Sequence, residues 1–393
     1  MSSENSYFFI TETMGFGGTE IHTIGLITHL LNKHAKVRLI CCQHGIYQEK
    51  IDHPSLAIES HQLSVDKIGL HNITQWNKLV KGQRKSVLIL PKGRAELFGI
   101  SSLLYLWCKF KKIVYIEHSE ADEMPAKSSK KYMGGAISGL GFWWFKEKLR
   151  RMLIGIFADK IIAVSKPVAK RLVHDYGWNK QKITVVENGV SPSKFQKDLQ
   201  LGLAFRKKLN VSNDTFIFGM LTRLDPLKGV DNAIRAFAQF LESQPELTNG
   251  ICKLVIVGEG QEEHNLKSLV SSLGVSDSVI FSDFIEEPKI ALSCFDTVLF
   301  PSRKEGLPLS LLEAMACECL PVVNNVGGMP GVVDNPLLIA ELGNTDTLTH
   351  CMRNAMRMTS AEKQNLTDYY KTKVNEEYDE AKTYEKIAKI VQN

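Results

Sequence analysis

Apolar residues in this chain gather into compact runs separated by longer mixed stretches. Residues 7–11, 37–41, 86–90, 113–116, 160–164 and 183–186 are short apolar runs of the size of a buried strand. Between most of them the pattern changes to helical spacing, first at 19–31, directly behind a glycine-rich turn. The second half repeats the theme. Residues 216–221, 253–257, 279–281, 297–300 and 320–323 read as strands, and 230–241 and 309–315 have helical spacing. Strands without a polar face, alternating with helices, predict parallel sheets covered on both sides. The expected fold class is therefore α/β, with two Rossmann-like doubly wound parallel-sheet domains.

The join is expected near Asn188-Gly189-Val190-Ser191-Pro192, giving a first domain at 1–190 and a second at 191–370. The segment 361–392 is polar, weakly periodic and free of glycine and proline, and is expected to be helical outside the second core. In doubly wound sheets ligands bind at the carboxyl ends of the strands. Candidate chemistry is therefore sought in the residues that follow each strand.

Three segments stand there. EGLPLSLLEAM at 305–315 follows the run 297–300, and Pro308 suits the first turn of a helix. The amides around Leu307, Leu309 and Ser310 would then face a ligand above the sheet, a site suited to a diphosphate. Glu305 before the helix and Glu313 within it can bracket that ligand, one near a sugar and one on ribose hydroxyls. The alternative is a helix with an acidic start and an ordinary surface glutamate. Arg223-Leu224-Asp225-Pro226-Leu227-Lys228-Gly229 follows the strand at 216–221. Arg223 and Lys228 suit phosphate oxygens and a leaving group that gains negative charge, or else they form a solvated basic loop. Met14-Gly15-Phe16-Gly17-Gly18-Thr19-Glu20 lies between the first strand and helix, and fails the dinucleotide fingerprint because Glu20 stands where a small residue is needed.

Charge sharpens this picture. Residues 1–190 carry 27 Lys+Arg against 16 Asp+Glu, or +11, and residues 191–393 carry 21 against 27, or −6. The first half is thus fitted to an anionic partner: nucleic acid, lipid or a phosphorylated substrate. Within 127–160, Lys127, Lys130, Lys131, Lys146, Lys148, Arg150, Arg151 and Lys160 surround Phe142-Trp143-Trp144-Phe145. That mixture suits either a peripheral contact with an anionic membrane or a buried aromatic cluster beside a solvated basic helix. The eight cysteines show neither C-x-x-C nor zinc-site spacing, so small buried thiols in a reducing compartment are expected, with no disulfide frame and no metal. No basic n-region precedes an apolar stretch at the N-terminus, so a cytoplasmic protein is expected, peripheral to the inner face of the plasma membrane if 127–160 docks on lipid.

Taken together, Gly17-Gly18-Thr19-Glu20, Arg223 with Lys228-Gly229, the Glu305/Glu313 spacing and Val326-Gly327-Gly328-Met329-Pro330 resemble glycosyltransferase family 4. Ala163-Val164-Ser165 and Asn188-Gly189-Val190 add to the resemblance, which covers most of the chain in order. It implies the GT-B fold, two Rossmann-like domains facing a cleft, with a C-terminal helix (371–393) returning to the N-terminal domain. The first domain would bind the acceptor and the second the nucleotide sugar. It implies retention of anomeric configuration without a catalytic metal or other cofactor, the UDP- or GDP-linked sugar being substrate. Arg223 and Lys228 would hold the diphosphate, Glu313 the ribose, and Glu305 would lie beside the transferred sugar. Gly17 and Gly18 would face the donor, and backbone around Ile285, in the turn Asp283-Phe284-Ile285, would meet the base. His118, after the strand at 113–116, would sit near the sugar or acceptor; otherwise it is a surface loop histidine. Pro308 and Cys319 depart from the common pattern without removing a required group.

The sequence has no D-x-D clamp for a divalent metal, which fits electrostatic catalysis by Arg223, Lys228 and helix amides. The expected partners are a nucleotide-sugar donor and a glycan or lipid-linked acceptor of envelope polysaccharide or lipopolysaccharide synthesis. No nucleic acid is expected, since a basic half does not explain the glutamate pair. A non-catalytic sugar-binding relative and a dinucleotide-dependent oxidoreductase are the competing readings. The latter lacks the sixth glycine and an obvious substrate domain.

Overall fold

In this computed structural model the described residues are 6–11, 17–41, 55–60, 78, 80–91, 109–118, 149, 151–248 and 250–392. They divide into two compact units, Met1–Glu187 with Ala381–Asn393 and Asn188–Glu380.

The first unit holds seven parallel strands: β1 (Ser6–Thr11), β2 (Lys36–Cys41), β3 (Leu56–Ser60), β4 (Val87–Pro91), β5 (Lys112–Glu117), β6 (Lys160–Ala163) and β7 (Ile183–Val185). Their order across the sheet is β3-β2-β1-β4-β5-β6-β7. Tyr7 to Ile10 and Val87 to Leu90 are buried along their whole length, because helices cover both faces and a polar face would have nowhere to go. The Gly18–Asn32 helix supplies Leu26, Ile27, Leu30 and Leu31 to this core. So does the last helix, Glu380–Gln392, through Tyr384, Ile387, Ala388 and Val391.

The second unit has six parallel strands: β8 (Phe216–Leu221), β9 (Cys252–Val257), β10 (Val279–Ser282), β11 (Thr297–Phe300), β12 (Leu320–Asn324) and β13 (Ile339–Ala340). Their order is β10-β9-β8-β11-β12-β13. The Val230–Glu242 helix buries Ala233, Ile234, Phe237 and Phe240 against the sheet, its apolar positions falling on one face at helical spacing. Among the described residues the six free cysteines are all buried, and burial pushes the Cys252 thiol up to about 12. No helix among these residues is long and apolar enough to cross a membrane.

Three features differ from the sequence pattern. β3 and β13 are extra edge strands, too short or too polar to stand out as apolar runs. Pro308 has extended ψ (133°) and caps the Leu309–Ala316 helix from one residue before it, instead of occupying its first turn. The C-terminal segment is two helices, Ser360–Glu377 and Glu380–Gln392. They part at Tyr378–Asp379, where Val190 pairs with Asp379 in an isolated bridge.

Candidate active site

In a doubly wound sheet the crevice opens where the strand order reverses. In the second unit that point lies between β8 and β11, and the two charged segments singled out from the sequence leave those two strands. Beyond β8, Leu224 is fully buried; its amide donates to the Glu259 carbonyl at 2.8 Å and its carbonyl accepts from Glu262 at 3.1 Å. These bonds fasten the segment to the loop after β9. Asp225 accepts from the Leu227 amide at 2.9 Å and starts the 3-10 turn Pro226–Lys228.

Gly229 then takes the left-handed conformation (φ 66°), and a Cβ there would lie 2.1 Å from the Pro301 carbonyl oxygen. The loop after β11 can therefore pass close by. Arg303 locks the approach: its amide donates to the Leu227 carbonyl at 2.7 Å, and its guanidinium meets Asp231 at 2.7 Å and the Pro226 carbonyl. The result is a 2.7 Å ion pair between Lys228 Nζ and Glu305 Oε1, with side chains 25% and 12% exposed. Arg223 leaves the same loop but is 70% exposed and pairs with Asp225 at 3.2 Å.

The Leu309–Ala316 helix is held by Leu309, Leu311, Leu312, Ala314 and Met315, all buried. The Leu309 and Ser310 amides open the helix, where no intrahelical carbonyl is available to them, so the end offers donors and a positive dipole to an anion. Glu313 is buried on this helix, its carboxylate without a hydrogen bond among the described residues, and burial, with a lesser contribution from Glu380, raises that carboxyl to about 7. Ile285 lies beyond β10, two strands from the switch point, packed against the core, while Phe284 beside it is exposed.

Gly327 closes the site from β12. Its φ is 59°, and a Cβ would fall 2.5 Å from the Glu305 carbonyl oxygen. Gly327→Ala is expected to destabilise the protein by about 1–3 kcal/mol by displacing the Glu305 loop. Thermal unfolding measures the effect.

In the first unit, Gly17 caps the Gly18–Asn32 helix in extended conformation, with the Glu20 carboxylate folded back against it. His118 follows β5, and its ring lies 4.7 Å from that of His22, edge-on, in the same helix. The structure thus gathers Gly17, Gly18 and His118 at the carboxyl end of one sheet. His22 is buried, and burial, followed by the nearby His118, holds its pKa well below the usual histidine value.

Most of 127–160 lies outside the described residues, as do residues 14–16. Arg151 is described, and it is not a surface charge. It is 2% exposed and pairs with fully buried Glu117 at 3.3 Å, its guanidinium lying 5.2 Å from the Tyr176 ring centre. Sequence reasoning passed over His22, and it picked out Asn188 at the join and in the resemblance without giving its side chain a partner, because the residues both touch are distant in sequence.

Comparison with known proteins divides the chain into two matches. Residues 16–194 match the family described as Glycosyltransferase Family 4, and residues 203–373 match Glycosyl transferases group 1. The O-antigen biosynthesis glycosyltransferase WclY of Escherichia coli is 26% identical over 212 residues, covering 52% of this chain and 56% of that protein. A D-inositol 3-phosphate glycosyltransferase of Kribbella flavida is 34% identical over 182 residues, covering 45% and 42%. The chain spans about half the length of the curated relatives it matches. Among solved structures, HepE of Anabaena in complex with UDP-glucose superposes with a TM-score of 0.78 at 17% identity, covering 98% of this chain and 99% of that one. WaaG, a glycosyltransferase involved in lipopolysaccharide biosynthesis, superposes at 0.73 with 15% identity, covering 98% and 99%. At these identities the structural likeness establishes the fold, which is GT-B.

Proposed function

Because the chain belongs to the GT-B glycosyltransferases of group 1 and family 4, we propose that it moves a sugar, with retention, from a UDP- or GDP-sugar to an acceptor hydroxyl. The observation that carries this reading is the Lys228–Glu305 ion pair at the switch point, which joins residues 77 apart beside a helix N-terminus. A cation, a carboxylate and free amides are thereby presented to one ligand. They match a diphosphate with a sugar attached. Glu313 would accept the ribose hydroxyls, and backbone around Ile285 would meet the base. Gly17 and Gly18 would face the donor, and His118 the sugar or acceptor.

Transfer would proceed by front-face attack. The acceptor oxygen bonds to the anomeric carbon as the bond to the diphosphate oxygen breaks, and the acceptor proton passes to that departing oxygen. Lys228, Arg223 and the Leu309 and Ser310 amides stabilise the charge that develops on the diphosphate. Glu305, held by Lys228, positions the sugar and supplies electrostatic complement; a covalent glycosyl-Glu305 is the competing route. UDP- and GDP-sugars should protect the protein against thermal unfolding, one base more than the other, and the protecting donor should support transfer. Protection by neither would reject the reading.

Fixed cations make a catalytic metal unnecessary in this scheme. Turnover is expected to survive EDTA within about twofold; complete loss, restored by manganese or magnesium, would remove leaving-group stabilisation from Arg223 and Lys228.

The relatives named for O-antigen and lipopolysaccharide synthesis support a glycan or lipid-linked acceptor of the cell envelope. In that setting 127–160 would rest on anionic lipid. Liposomes containing such lipid should then bind the protein in low salt and release it as salt rises. Salt-independent binding, or none, would separate the acceptor from the membrane.

A further inference from the structure

The chain enters the second unit at Asn188, and the side chain of this residue points into the protein, 4% exposed. Its Nδ2 donates to the Leu307 carbonyl at 2.7 Å. That carbonyl lies beyond the helix's own ladder: the Leu311 amide, four residues on, donates to Pro308 instead, at 3.2 Å. Asn188 supplies what the helix does not. Leu307 stands between Glu305 and Leu309, so one buried bond fastens the middle of the segment that carries the sugar-side carboxylate.

A second pair of hydrogen bonds ties the same crossing together. Val190 donates to the Tyr378 carbonyl at 2.9 Å and accepts from the Glu380 amide at 3.0 Å, which brings the outgoing chain beside the incoming one. Of the two carboxylates, Glu305 is thus linked to the segment where the chain enters this unit, through the Leu307 carbonyl.

We propose that Asn188 is a positioning residue for transfer, fixing the 305–308 segment so that Glu305 meets the donor sugar; this rests on the reading of Glu305 given above. Losing the amide leaves a buried carbonyl unsatisfied, and the segment moves toward water to recover a partner. Glu313 stays in place, because its helix is held independently by buried leucines, alanine and methionine. The two functions of the site therefore separate: sugar positioning depends on Asn188, and nucleotide affinity does not.

The test compares Asn188→Ala with the milder Asn188→Ser. Amide exchange is expected to quicken at 305–311 and stay unchanged in the rest of the second unit. Turnover should fall about tenfold while the Kd for UDP or GDP alone changes less than about threefold. Wild-type exchange at 305–311 in both variants overturns the proposal. So does faster exchange throughout the unit, a parallel loss of nucleotide affinity, or a loosened loop with undiminished turnover. If the unsubstituted protein transfers no sugar from any nucleotide donor, the proposed reaction fails and this role fails with it. Exchange still shows, independently, whether Asn188 holds the loop.

Discussion

Lys228→Ala is expected to lower the proposed sugar transfer by roughly 30- to 1000-fold, the scale of removing one preorganised electrostatic group worth about 2–4 kcal/mol in the transition state. Two losses coincide at this position. The cation proposed to face the diphosphate disappears, and Glu305, only 12% exposed, loses its partner at 2.7 Å. Folding is affected as well, by on the order of 1–3 kcal/mol, because a largely buried carboxylate is left without its cation. Arg223→Ala belongs to the same experiment with a different signature. Arg223 is 70% exposed and pairs with Asp225, so stability is expected to be unchanged and the loss to fall on the reaction. Steady-state kinetics beside thermal unfolding separates these effects. Wild-type turnover in both variants would place the diphosphate elsewhere.

Glu313 gives the second large effect, and pH reveals it. Burial raises this carboxyl from the ordinary 4.5 to about 7. Between those values the folded protein holds a proton that the unfolded chain has lost, so stability falls as pH rises from about 4.5 to about 7 and then levels off. The full change is on the order of 3 kcal/mol. Glu313→Gln lacks this penalty, and is expected to be the more stable protein at pH 8 and equal to wild type near pH 4.5. Binding runs the other way. If Glu313 takes the ribose as proposed, the ribose hydroxyls donate to the ionised carboxylate, so wild-type affinity for the nucleotide sugar is expected to weaken as pH drops below about 7, with Glu313→Gln binding weakly at every pH. Urea unfolding and calorimetry at several pH values decide both points. A glutamine variant less stable at pH 8 would overturn the burial penalty on Glu313, and one that binds as tightly as wild type would take the ribose away from it.

The sequence announced the sheets because their strands are covered on both faces and so are written as unbroken apolar runs. Candidate residues such as Arg223 and Glu305 were legible for a related reason, since they follow such runs. Pairing was not legible. Nothing near Lys228 in the chain says that its carboxylate lies 77 residues away, and nothing around Arg151 distinguishes a buried partner of Glu117 from one more surface cation. Glu313 read as an exposed helix glutamate or a ribose ligand; its burial follows from the sheet below and the crossing beside it. The break at Tyr378–Asp379 carries no glycine or proline, because a bridge to Val190, and not local stiffness, ends the helix there.

That crossing also sets the order in which the molecule can be completed during synthesis. The second unit is contiguous, Asn188–Glu380, whereas the first is finished only by Ala381–Asn393. As the chain leaves the ribosome, the second unit has all its parts before the other does. The N-terminal sheet, though made first, waits for Tyr384, Ile387, Ala388 and Val391 to fill its core. A chain cut short just after Glu380 keeps every residue of the candidate diphosphate site and loses one wall of the unit that would receive the acceptor.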